Sequence, residues 1–220
     1  MTRALLVLIC LTVAALGTPA RASAQLVGMP VWNSPRGGTA LTVAGDYGSP
    51  DSTGGKGSAY AGRVVLGLSA LTLSATIGVR NPDGAAANMT QYGGAAALRL
   101  IGGSLIPVSV NLQGGFATFK ESGVRAARGT AALGFAIDLP TPIIHVEPWV
   151  APGFRATHHG ASGLIPSQTN TVFGIAGGLT IDFGLLGVHA ALDYERVPGG
   201  GHARTLGIGA HLAIRPSLGL

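Results

Sequence analysis

Between Leu71 and Arg80 the apolar and polar positions alternate without a break. Leu71, Leu73, Ala75, Ile77 and Val79 are apolar, while Thr72, Ser74, Thr76, Gly78 and Arg80 are small or polar. Successive side chains of a β-strand point to opposite faces, so this is a strand with one oily and one wet face. The same two-residue period predicts ten strands in all, near residues 38 to 47, 58 to 68, 70 to 80, 91 to 101, 106 to 118, 129 to 139, 143 to 156, 170 to 182, 185 to 195 and 203 to 214. The connections at 69, 102 to 105, 140 to 142 and near 184 are tight, whereas those at 48 to 57, 81 to 90, 119 to 128, 157 to 169 and 196 to 202 are longer and rich in Gly, Ser and Asn. Strict alternation of short and long connections predicts an up-and-down antiparallel meander, with the long loops at one end and both chain ends at the other.

The parity of each strand separates two sets of residues. One face carries Leu41, Val43, Val64, Leu66, Leu98, Leu112, Leu133, Phe135, Val150, Ile175, Leu192, Leu206 and Ile208. The opposite face collects the charges: Arg63, Arg80, Arg99, Asp138, His145, Glu147, Arg155, Asp182, Asp193 and Glu195, together with Asp46, His189 and His211. The apolar set could meet a protein core or lipid. Tyr47, Tyr60, Tyr92, Phe116, Phe154, Phe173 and Tyr194 share the apolar parity, and each lies at the long-loop end of its strand. Rings gathered at one level form the aromatic girdle of a membrane interface, so the oily faces are expected to face lipid. The opposite girdle is sparse, with little beyond Phe183.

Composition sharpens this choice. The chain has 220 residues with 36 Gly, 10% charged residues and 47% hydrophobic ones, a low charge for a water-soluble domain. Arg3, the apolar run from residue 4 to 16, the breakers Gly17 and Pro19, and Ala22-Ser23-Ala24 read as a secretory signal peptide over residues 1–24, cleaved before Gln25. Residues 25–36, rich in Pro and Gly, read as a mobile periplasmic lead-in, and 37–220 as the barrel domain. The sole cysteine, Cys10, lies within the signal, so disulfides do not hold the exported chain together. The signal takes Arg3 and Arg21 with it, lowering the net charge from +5 to +3, a weak excess that gives no reason to expect a nucleic-acid partner. Beyond the signal no stretch is long and apolar enough for a spanning helix, and a chain this oily enters lipid only as a closed barrel.

On this pattern the chain resembles the small outer-membrane β-barrel superfamily, the OmpA-like, OmpW-like and opacity-type barrels. The resemblance covers residue 36 to the end and rests on strand pattern, not on a motif. It implies an all-β transmembrane barrel in the bacterial outer membrane, in contact with outer-membrane lipid and delivered by periplasmic chaperones and the barrel-assembly machinery. Family members usually have eight strands and end on Phe or Trp. Here ten are expected, with eight as the count if two segments are loop hairpins or a plug, and the chain ends on Leu220 after Pro216. Neither the resemblance nor the residues indicate an oligomeric state.

Three functional readings follow. Arg63, Arg80 and Arg99 fall on strands two to four, whereas Asp138, Glu147, Asp182, Asp193 and Glu195 fall on strands six to nine. Across a narrow lumen they would pair, giving a non-enzymatic barrel with an ion-paired interior and a structural or surface role. The same charges could instead filter small polar solutes in a narrow pore. The third reading is a soluble exported ligand-binding barrel, which would reverse the two faces. For catalysis, His158, His159 and Ser162 are placed in a long loop, and no nucleophile stands at a revealing offset from a base. His145 and Glu147 near Asp182 are the nearest approach to metal ligands, and as lumen neighbours they are expected simply to pair. No cofactor is implied.

Overall fold

The computed structural model describes residues 25–32, 41–85, 87–103, 106–121, 123–141, 144–163 and 166–214. The signal peptide expected over 1–24 and the chain end beyond Ile214 lie outside the described residues. The strands are β1 (Leu41–Pro50), β2 (Gly57–Leu68), β3 (Leu71–Pro82), β4 (Met89–Gly103), β5 (Ile106–Glu121), β6 (Val124–Ile137), β7 (Leu139–Pro140), β8 (His145–His159), β9 (Gln168–Phe183), β10 (Leu186–Arg196) and β11 (His202–Ile214). The two-residue β7 continues the line of β6 past Asp138, so the segments make ten staves. Each pairs antiparallel with its neighbour in sequence; β1 closes on β11 and β6 pairs with β8, so the sheet has no free edge. The chain is a closed ten-strand antiparallel up-and-down β-barrel.

The break at Asp138 has a local cause. Pairing between β6 and β8 holds at Ala132↔Gly153, Phe135↔Val150 and Ala136↔Trp149 and resumes between β7 and β8 at Leu139↔Val146, but lapses opposite Pro152 and Pro148. Proline has no N–H to give the ladder, so this seam loses bonds there. A second irregularity lies in β4. The register with β5 shifts between Arg99 and Ile101, and Leu100 and Ile101 both face outward, each 54% exposed. A bulge inserts one extra residue, and the parity read from sequence flips after it.

Two expected loops are shorter than the sequence suggests. β5 and β6 run on until Glu121 pairs with Val124, replacing the long connection at 119 to 128 by a tight hairpin. β8 likewise reaches His159, so His158 and His159 belong to a strand and not to a mobile loop.

Burial is the reverse of that in a water-soluble barrel. Ile77, Leu112, Leu192 and Ile208 are about half exposed on the outer wall, while Arg155 is 1%, Asp193 2% and Glu147 3% exposed inside. Isolated buried charges cost several kcal/mol and exposed leucine bands cost hydration, so this arrangement is at rest only with hydrocarbon outside. The soluble ligand-binding reading requires the opposite faces and does not fit.

The largest departure concerns the lead-in. Residues 25–32 do not hang below the barrel but lie within it. Leu26 and Met29 pack against Ala59 and Ala117, and Val31 packs with Ala132, Ala136, Trp149, Ala151, Ala176 and Ala191. The physical reason is visible in the wall. Its inward positions near this segment are largely Ala and Gly, which leave a hollow that Leu26, Met29, Pro30, Val31 and Trp32 fill.

Candidate functional site

The lumen is organised around this inserted segment. At the long-loop end, the Val27 N–H donates to Gln91 Oε1 at 2.7 Å and the Val27 carbonyl accepts from Gln91 Nε2 at 2.9 Å, a two-bond clamp on an otherwise unpaired backbone. The Gln25 side chain donates to Asp193 and to the Met29 carbonyl, and its carbonyl oxygen accepts from Arg128 Nη2 at 3.0 Å. Asp193 in turn accepts from Arg155 Nη2 at 2.8 Å and from the Val31 N–H at 3.3 Å. Arg128 also pairs with Glu195. Two arginines and two carboxylates of β6, β8 and β10 thus hold the start of the segment through the Gln25 amide. Arg155 lies against Gly174, where a Cβ would meet the guanidinium Nη1 at 2.8 Å.

Lower in the lumen a polar chain runs along the wall. Arg63 Nε donates to Asp46 Oδ2 at 3.0 Å, and His189 Nε2 lies 2.7 Å from Asp46 Oδ1. His189 Nδ1 lies 3.2 Å from His211 Nδ1, and His211 Nε2 is 2.8 Å from Asp182 Oδ1. Each Nε2 atom thus faces a carboxylate oxygen, and the two rings stack at 5.4 Å between centroids. Two glycines make room for this polar chain: a Cβ at Gly209 would meet Asp46 Oδ1 at 2.6 Å, and one at Gly187 would meet both Asp182 and His211. Trp32 of the inserted segment seals this row, edge-on to His189 at 4.6 Å between ring centroids and beneath the Arg63 guanidinium at 5.6 Å.

The charges meet differently from the cross-lumen pairing that the sequence suggests. Arg63 takes Asp46 on the adjacent strand. Arg80 turns up to the β1–β2 loop and donates to the carbonyls of Gly54 and Gly55. Asp138 pairs with His145, and Asp182 with His211. Arg99 and Glu147 lie towards the short-turn end of β4 and β8 with inward parity, and Glu147 is buried. The inserted segment occupies the middle of the lumen, and the pairs run around its wall: Arg63 with Asp46 and His145 with Asp138 join adjacent strands, whereas Arg155 with Asp193 and His211 with Asp182 reach across one intervening strand. Of the residues that matter most here, Gln25, Trp32, Gln91 and Arg128 escaped the sequence reading. Arg128 continues the inward parity of Thr130 and Ala132, a signal lost only by starting the strand one residue late.

Among the described residues, cavities of about 40 Å3 flank the segment, one beside Gln25, Arg128 and Asp193, another beside Met29, Trp32, Asp46 and Arg63. Each has room for a few waters. On the outside, Tyr60 and Tyr92 are 54% and Phe154 60% exposed, and Tyr47, Phe116, Phe173 and Tyr194 share their outward parity. Tyr47 leans on Tyr60 at 5.3 Å and Phe154 on Phe173 at 5.6 Å. Phe183, 52% exposed, lies at the opposite end.

Fold and lumen together define a ten-strand membrane-spanning barrel occupied by its own chain. Among solved structures it is similar to the N-terminal β-barrel domain of Pseudomonas aeruginosa OprF, at 15% identity and TM-score 0.39 over 80% of this chain and 100% of that one. It is also similar to the translocator domain of the autotransporter NalP from Neisseria meningitidis, at 14% identity and TM-score 0.42 over 80% and 88%, and to Neisserial surface protein A, at 10% and 0.36 over 79% and 95%. No protein-family model matches the chain, and no curated protein matches it in sequence.

Proposed function

We propose that this chain is an exported outer-membrane barrel of non-enzymatic, structural or surface-exposed role, whose lumen is closed from within by residues 25–32. The observation that carries the reading is the burial of that segment. Met29 and Val31 are 2% and 5% exposed, and the backbone of the segment is bonded to Gln91 and Asp193. Removal of residues 1–24 as a signal peptide would leave Gln25 as the first residue, held by Asp193 and Arg128. The lumen's acids and bases satisfy one another and the plug, which suits a sealed wall better than a solute filter.

The experiment is single-channel recording of the mature chain in planar bilayers. The intact barrel is expected to be electrically silent, and a variant lacking residues 25–32 to conduct. Steady current through the intact protein, altered by Arg63→Gln, would instead establish the narrow-pore reading.

A further inference from the structure

At β6 the aromatic girdle gives way to small residues. β5 presents Phe116 and β8 presents Phe154, but β6 between them turns Ala127, Gly129 and Ala131 outward, in register with those rings: Phe116 pairs with Gly129 and Phe154 with Ala131. Three small side chains between two phenyl walls leave an apolar groove of about 320 Å3, floored also by Ala156. At its upper end His158 Nδ1 meets Thr169 Oγ1 at 2.8 Å. The volume is that of a site for a hydrocarbon chain, not for a water.

The groove has a cationic lid. Continuing up the outward face of β5 and β6, Lys120 and Arg125 are direct cross-strand partners, and both are exposed. Like charges placed opposite one another on a sheet repel, so the pair is unfavourable unless an anion joins it. Among the described residues none is placed to do so. The nearest acid, Glu121 at the end of β5, has inward parity and lies 3.7 Å from His159 Nδ1; Asp46, Glu147, Asp182, Asp193 and Glu195 also have inward parity, and Asp51 and Asp83 lie in the loops after β1 and β3, away from this hairpin. Lys120 lies four residues above Phe116, which along a tilted strand is about 10 Å above the rings, the height of a headgroup and not of acyl carbon. Elsewhere on the rim Arg204 lies over the Tyr194 ring at 5.7 Å.

We propose that this groove binds an anionic membrane lipid, one acyl chain lying between Phe116 and Phe154 and the headgroup phosphate bridging Lys120 and Arg125. The proposal rests on the membrane-spanning reading but not on the sealed lumen. The lipid neutralises the cation pair and fills the gap in the girdle. A zwitterionic lipid would fill the groove but bring its own cation to Lys120 and Arg125.

Native mass spectrometry of the mature barrel, released from micelles containing phosphatidylglycerol or phosphatidylcholine, tests it. One phosphatidylglycerol should remain on each barrel in preference to phosphatidylcholine. Two headgroup cations make a difference of at least about tenfold, so K120Q with R125Q should lower retention by that factor. A127L, which fills the groove and leaves both cations, should lower it comparably, and R204Q should not. Heat-modifiability gels confirm that each variant is folded, and A156L asks the same question if A127L is not. Equal retention of the two lipids, retention untouched by both groove and cation variants, or an equal loss in R204Q would overturn the proposal. A conducting barrel that still keeps the lipid would break the sealed-lumen reading alone, and a silent barrel that keeps none would break this one alone.

Discussion

Inside the barrel and on its outer rim the same residue types live by different rules. In the lumen Arg155 faces Asp193, Arg128 faces Glu195, Arg63 faces Asp46, and a pair of histidines bridges Asp46 and Asp182. On the rim Lys120, Arg125, Arg196 and Arg204 have outward parity and no strand acid shares their face. A buried charge must find its counterion within the chain, because hydrocarbon and protein surround it on every side. A rim charge can leave that task to the membrane surface. The lumen therefore contributes stability and closure, and the rim contributes placement in the bilayer.

That contrast breaks most sharply at Arg155. Arg155→Met leaves Asp193 buried without its guanidinium, at a cost of about 3 to 5 kcal/mol read by urea unfolding in lipid vesicles. Gly209→Val should come next, at about 1 to 3 kcal/mol, since the new side chain must displace the Asp46 to His189 contact in a packed wall. A smaller effect is expected of Trp32→Ala. It removes an edge-to-face ring contact and a cation–π contact worth about 1 to 2 kcal/mol together, and should raise the open fraction of the inserted segment about tenfold, measured by hydrogen exchange at Val27 and Val31. At the far end, Lys120→Gln should change unfolding free energy by less than about 0.5 kcal/mol, because an exposed rim cation stabilises little within the chain itself. A loss at Lys120 as large as that at Arg155 would erase the distinction between the two regions.

The ten strands were legible because lipid outside and charge inside make the two-residue period nearly unbroken, as at Leu71 to Arg80 and again from Leu186 to Glu195. It failed where backbone chemistry intervened. The bulge at Leu100 and Ile101 shifts parity without a sequence marker, and Pro148 and Pro152 interrupt the ladder without ending the strand. The loop at 119 to 128 was misjudged because Lys120, Glu121, Arg125 and Arg128 look like loop residues by polarity, although the strands extend beyond the hydrocarbon and carry charges there. The inserted segment was the hardest to read. Pro30 and Gly28 signal irregular backbone, and nothing in a one-dimensional pattern says that irregular backbone lies inside a barrel. The apolar residues Leu26, Val27, Met29, Val31 and Trp32 were the available hint, since a segment bathed in water has no use for five of them in eight positions.

Closure by residues 25–32 is tested most directly by chemical access, which the absence of cysteine beyond Cys10 makes clean. Single cysteines at Met29, in the lumen, and at Lys56, in an exposed loop, would be exposed to a membrane-impermeant maleimide in folded barrels. Occlusion from within predicts that Lys56→Cys reacts at once and Met29→Cys only when the barrel is unfolded. Equal, rapid labelling at both positions would place the segment in water and contradict it.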